Sequence, residues 1–287
     1  MRLFFIFLIS FCFSVQHVEA QAKKAFAIYN RDGETINYSQ LLNAFSDTDI
    51  ILFGEEHNSA LIHWLQYELI SDLFVKEADL GIGMEMFSPD QQSAVNDYLA
   101  GDINFKALRR QVDLWPNFKT DYLQILTFAK THNLSFRGTN APQQIARNVY
   151  KKGGFSYLDE LSDQQLSYLP PRPIPFDPNL PGYKKMKKMM GLHANDDIVK
   201  AQALKDATMA HQLTQLAAKN ALVLHINGKY HSDNFDGIFW YLQQYQPALK
   251  VKTISMVHQA DIFSIDKANL EAADFIICID QNMTKTY

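Results

Sequence analysis

Cysteine is almost missing from this chain of 287 residues: there are two, Cys12 and Cys278. Cys12 lies in the opening apolar run. Once that run is removed, one thiol remains, and one thiol cannot close an internal disulfide. Cys278, inside Phe275-Ile276-Ile277-Cys278-Ile279, reads as a buried strand residue. A surplus of positive charge is also missing. The formal net charge of −4 gives no support for nucleic-acid binding. Beyond the opening run, no apolar stretch approaches the roughly 20 residues that a membrane-spanning helix needs, so the mature chain is expected to be soluble. There is no nucleophile elbow, no phosphate loop and no paired-cysteine site, so covalent catalysis and nucleotide chemistry have no support. An internal repeat is also lacking. What is present is a 47% apolar composition, ample for a packed core in one large domain.

The start of the chain runs Met1-Arg2 and then almost wholly apolar from residue 3 to 15. That is too short to span a bilayer, and Val18-Glu19-Ala20 suits cleavage before Gln21. Residues 1–20 are therefore expected to be a signal peptide, placing residues 21–287 in the periplasm or outside the cell. A lipid anchor on Cys12 is disfavoured because Phe11 precedes it, where lipoprotein signals want a small side chain.

Residues 26–30 and 35–38 flank Asp32-Gly33 and read as a hairpin. Strand-like segments then follow at 50–53, 80–85, 134–137, 221–226, 249–256 and 275–279. They alternate with helix-like segments at 60–78, 89–99, 121–132, 142–152, 196–219 and 236–244. The expected fold class is α/β: a mostly parallel sheet flanked by helices, with an N-terminal hairpin. The alternation fails over about 155–195, read as an inserted helical subdomain. Six of the chain's ten prolines fall between Pro170 and Pro181, which rules out a regular sheet element there. A loop this long is expected to be a lid or binding loop, or disordered.

Each strand ends in polar residues. The first is followed by Glu55-Glu56-His57, with Ser59 as N-cap for the next helix, and the second ends Gly83-Met84-Glu85-Met86-Phe87. The others lead into Asn140, into Gly228-Lys229-Tyr230-His231 and into His258. In an open α/β sheet such ends meet at one edge, where ligands bind. Glu55, Glu56, His57, Glu85 and His231 are therefore the candidate catalytic residues, as general acid/base groups. Glu56, His57, Glu85 and His231 are also candidate ligands for a divalent metal. Glu85, framed by methionines, is expected to be paired or ligating. Asp233 is read as orienting His231. His63, His211 and His225 are read as ordinary helix or core residues.

Gly54-Glu55-Glu56-His57-Asn58, Gly83-Met84-Glu85-Met86-Phe87, Trp115 with Tyr122, Asn140-Ala141-Pro142, residues 202–210 and Gly228-Lys229-Tyr230-His231 resemble, in this order, the ChaN family of the bacterial envelope. The resemblance implies an α/β fold with a helical subdomain, haem as cofactor and ligand, a homodimer interface near the haem, and peripheral envelope association. It departs from the family's frequent lipoprotein form at Phe11. Haem needs an axial donor, an apolar cradle and cations for its propionates. Tyr183, Lys184, Met186, Met190 and His193 supply these within eleven residues; the same run also reads as an amphipathic surface helix. The sequence thus supports a secreted haem-binding protein of iron acquisition. The alternative is a hydrolase related to the Tiki proteases that uses its Glu/His cluster with or without metal.

Overall fold

The computed structural model describes residues 23–191 and 195–287. The expected signal peptide and His193 lie outside the described residues. An eight-stranded sheet has the order β2-β1-β8-β7-β3-β6-β4-β5. In chain order the strands are β1 (Phe26–Asn30), β2 (Thr35–Ile36), β3 (Ile50–Glu55), β4 (Leu80–Met84), β5 (Ser135–Gly138), β6 (Leu222–Gly228), β7 (Val251–Gln259) and β8 (Phe275–Asp280). β3 to β8 are mutually parallel, whereas β1 pairs antiparallel with both β2 and β8. The mostly parallel α/β class and the hairpin stand as expected from sequence.

The α-helices are α1 (Tyr38–Asn43), α2 (Ala60–Lys76), α3 (Gln92–Ala100), α4 (Phe105–Gln111), α5 (Phe118–Asp121), α6 (Leu123–His132), α7 (Gln143–Lys151), α8 (Asp163–Leu166), α9 (Pro181–Met190), α10 (Asp196–Ala217) and α11 (Ile238–Tyr245). Side chains alternate across a strand, and β3 shows how this divides the core. Ile51 and Phe53 enter one cluster with residues of α2, α3 and α6. Ile50 and Leu52 enter the other with residues of α7, α10 and α11. All four are essentially buried, each worth about 1.5–3 kcal/mol of transfer free energy. None of the described helices is long and apolar enough to cross a membrane.

Two local expectations need correction. Ser59 occupies the N-cap position of α2, but its hydroxyl makes no capping bond and has no partner. The proline-rich stretch is not a free loop. Leu169, Ile174 and Leu180 punctuate the prolines and are buried in the second core. The Tyr241 hydroxyl donates to the Pro175 carbonyl at 2.7 Å. Aliphatics between prolines give an irregular segment a reason to pack, and it leads directly into Pro181 at the first turn of α9.

Candidate functional site

β3, with its neighbours β6 and β7, and β4, on the other side of β6, set the site at their carboxyl ends. Glu55 continues the inward alternation of Ile51 and Phe53, so its carboxylate is buried; it is 1% exposed. It accepts hydrogen bonds from the Tyr122 hydroxyl (2.5 Å), Gln66 Nε2 (2.7 Å) and His57 Nδ1 (2.9 Å). His63 stands behind it, its two nitrogens 3.4 Å from Glu55 and 3.3 Å from Asp121. Burial alone would raise the Glu55 carboxyl; the donors from His57, His63 and Tyr122 outweigh it and hold the carboxyl low. Burial and the Glu55 charge push the Tyr122 phenol well up, so it remains a donor. His57 keeps its side chain 35% exposed and meets Trp115 edge to face, with ring centroids 4.6 Å apart.

The second group surrounds His231. Its Nε2 lies 3.2 Å from Glu85 Oε1, and its Nδ1 donates to Asp206 Oδ1. Glu85 Oε2 accepts the Gly228 amide at 2.6 Å, and Asp206 Oδ2 accepts the Tyr183 hydroxyl at 2.8 Å. Burial would lower the imidazole; flanked by Glu85 and Asp206 it is instead raised to about 10. Glu85 feels the converse: burial is outweighed by His231, His57 and the Gly228 amide, so it sits well below the usual carboxylate range. His231 is thus a buried imidazolium between two carboxylates. The two groups meet over Gly228. A Cβ there would stand 2.9 Å from His57 Nε2 and 3.6 Å from Glu85 Oε2, so glycine is required by the close approach.

Of the sequence-predicted cluster, Glu55, His57, Glu85 and His231 come together and Glu56 does not. Glu56 alternates to the other side of the strand end, where Lys229 (3.0 Å), Lys285 (3.4 Å) and His258 (3.5 Å) surround it. The expected metal set is therefore not assembled, and among the described residues no group of three or more His, Cys, Asp or Glu side chains is disposed to hold a metal ion. Asp233 does not orient His231; it accepts from Ser255 at 2.6 Å, and Asp206 takes that role. His225 is a core histidine between Thr139 (2.8 Å) and Asn227 (3.1 Å), pushed down to about 4 by burial. Sequence reading missed Asp206, Gln66 and the place of His63. Asp206 carried a signal, as an acid between Ala203 and Ala207 on the core-facing spacing of a helix.

Two cavities flank this site. A polar cleft of about 300 Å³ is lined by Glu85, Gln91, Trp115, Asn140, Gln143 and Lys205, among others. A largely apolar cavity of about 260 Å³ lies under α9, lined by Met186, Met189, Met190, Gln202 and Tyr230, with Lys185 and Asp233 on its wall. Of the predicted haem residues, Met186 and Met190 line it and Lys184 lies exposed on the same helix. Tyr183 also borders it, but is 3% exposed with its hydroxyl on Asp206. Tyr230 is 62% exposed.

No curated protein matches the chain. Among solved structures, the chain is similar to ChaN of Campylobacter jejuni, described with cofacial haem binding (TM-score 0.64, 19% identity, 89% of this chain and 97% of that one). It also resembles the erythromycin esterase EreC (TM-score 0.52, 13% identity, 91% and 98%). A Bacillus cereus protein is a third (TM-score 0.51, 12% identity, 84% and 90%). At such identities these likenesses show the shared fold. The family described as haem-binding uptake, Tiki superfamily, ChaN matches residues 41–242, most of the chain. The protein belongs to the ChaN family of haem-binding proteins.

Proposed function

We propose that this protein is an exported haem-binding protein of iron acquisition and that haem lies in the apolar cavity under α9. The observation that carries this reading is the cavity itself. Three thioethers form a deformable apolar wall, a cation stands on its rim, and an exposed phenol borders it. Met189, 69% exposed, extends this surface outwards. Lys185, which lines the cavity, and Lys184, exposed on the same helix, meet the propionates as point charges. Tyr230 is the phenol free to reach iron, whereas Tyr183 would first have to surrender its bond to Asp206. His193 follows α9 directly in sequence and is the remaining donor from the predicted segment. The cavity is smaller than a porphyrin, which leaves one haem face uncovered. A homodimer with paired haems would cover it, an arrangement in keeping with the cofacial haem binding described for the Campylobacter protein. Residues 1–20 export the chain, and envelope association is peripheral.

Haem titration followed by absorption tests this. The expected result is a saturable Soret band that changes in one of Tyr230→Phe, Tyr183→Phe or His193→Ala, with Tyr230→Phe the expected one. If all three keep the wild-type spectrum and affinity, the site lies elsewhere. Mass spectrometry of the exported protein should find Gln21 as its first residue.

A further inference from the structure

We propose that Met189 and Met190 are an oxidant-sensitive modification site, at which conversion to the sulfoxides by peroxide turns the wall of the α9 cavity polar and releases its apolar ligand. The consequence for haem rests on the reading above; the modification site stands without it. The sequence holds nine methionines, and the fold sorts the described ones by access. Met84, Met209 and Met256 are fully buried and Met86 nearly so. Met283 is half-buried against the first core. The strongly exposed thioethers are neighbours on α9, Met189 at 69% and Met190 at 36%. Both line the cavity, together with half-buried Met186 one turn earlier. Oxidants reach sulfur from solvent, so the sulfurs open to attack are the ones that shape the cavity.

Among the described residues the remaining sulfur is Cys278. It is fully buried, and burial with Asp261 and Asp266 nearby pushes its thiol up to about 11, so it offers the oxidant no appreciable thiolate at neutral pH. Apolarity alone does not account for methionine at positions 189 and 190. Leucine is as good a helix former and as apolar, and it resists oxidation. What a thioether adds is a soft wall in one state and a polar wall in the other. Position along the helix matters as well. α9 is tied down at its start, where the Gly182 amide donates to Asp236 at 2.7 Å and the Tyr183 hydroxyl to Asp206 at 2.8 Å. Met189 and Met190 sit at its far end, so modification there leaves those anchors and the second core in place.

The step needs one co-reactant, a peroxide. A sulfur lone pair bonds to one peroxide oxygen as the oxygen–oxygen bond breaks. The proton left on the transferred oxygen passes to the departing hydroxide, giving water. Sulfur is oxidised by two electrons and the peroxide is reduced by two. The sulfoxide oxygen is a strong acceptor placed in an apolar wall. Directed inwards, it is desolvated against the ligand, which is costly without a donor; turned outwards, it carries its methyl group out of the wall. Either way apolar contact is lost. Sulfoxide reductases restore the thioether, so the change is reversible.

The test treats the full mature protein, without haem, with limiting hydrogen peroxide and maps the oxidised peptides by mass spectrometry. Met189 should gain one oxygen first and Met190 next, with Met84, Met86, Met209 and Met256 unmodified. Haem titration of the oxidised protein should then show affinity lowered about 10-fold or more, with recovery after sulfoxide reductase treatment. The double variant Met189→Leu/Met190→Leu, whatever its own affinity, should show the same value before and after peroxide. N-phenyl-1-naphthylamine, a neutral apolar fluorophore, gives the same comparison without haem. A protein that binds the fluorophore but not haem, and loses it on oxidation, supports the modification site and sinks the haem reading alone. Oxidation of the buried methionines ahead of Met189, equal wild-type affinities before and after peroxide, an equal loss in the double variant, or binding of neither ligand would each overturn the proposal.

Discussion

The two cavities share α10 as a wall and are built in opposite ways. Gln202 lines the apolar cavity and Lys205 the polar cleft, and the next residue, Asp206, anchors His231. The cleft's chemistry is rigid. Glu55, Glu85 and Asp206 are each at most 6% exposed and held by named partners. The apolar cavity owes its shape to α9, an outer helix bearing a methionine exposed to 69%. Groups at strand ends can be held in place by the sheet and by the helices behind it. A helix laid on from outside can only offer a soft surface. Fixed geometry suits bond making, and a soft surface suits a flat, apolar ligand.

The largest predicted effect removes the shared wall. Asp206→Ala leaves an imidazolium and a phenol without their buried acceptor and should cost about 3–5 kcal/mol of stability, measured by urea unfolding. A loss below about 1 kcal/mol would show that the two cavities do not depend on this ion group. The next variant separates them. Met186→Glu brings a charge into the apolar cavity and should weaken haem binding roughly 10–100-fold while stability in urea changes by less than about 1 kcal/mol. Wild-type haem affinity in this variant would place the haem outside the apolar cavity.

The pH dependence should single out the buried triad. His231 is raised from 6.5 to about 10, so its stabilisation is complete below about 6.5 and is lost as pH rises through about 10. Glu85, held low, contributes above its ordinary value of 4.5, and its share is lost as pH falls below it. Thermal unfolding midpoints should therefore fall on the alkaline side in wild type. His231→Asn should flatten that fall; an unchanged profile would contradict the charged triad. The smallest contrast is between two caps. Asn37 closes a capping box on α1, and Asn37→Ala should cost about 1 kcal/mol. Ser59→Ala should change stability by less than about 0.5 kcal/mol, because its hydroxyl bonds to nothing.

Strands and their polar ends were legible because apolar runs such as residues 50–53 are short and bounded, and because parallel strands must end at one edge. Glu85 was legible as a buried acid from its methionine frame. Partner identity was not. Asp206 reaches His231 from a helix 25 positions earlier in the chain, and no local spacing encodes that meeting. Asp233, adjacent in sequence, was the natural but mistaken choice. Glu56 misled for a related reason: neighbours on a strand end point to opposite faces, so adjacency to Glu55 placed it outside the cluster. The packing of the proline-rich stretch escaped notice because proline density hides the aliphatics between the rings.

The late insertion of β6 between β3 and β4 bears on how the molecule comes into being. When the chain has been made as far as α7, β3 and β4 have no strand between them, and each has an edge awaiting β6. More than eighty residues (139–221) must follow β5 before Leu222 begins to fill that gap, so the central pairings have high contact order. Until then Glu85 has neither the Gly228 amide nor His231, and His57 has no floor beneath it. Neither cavity can exist in a partly made chain. Both cavities therefore take their final shape only after the sixth strand has joined β3 to β4.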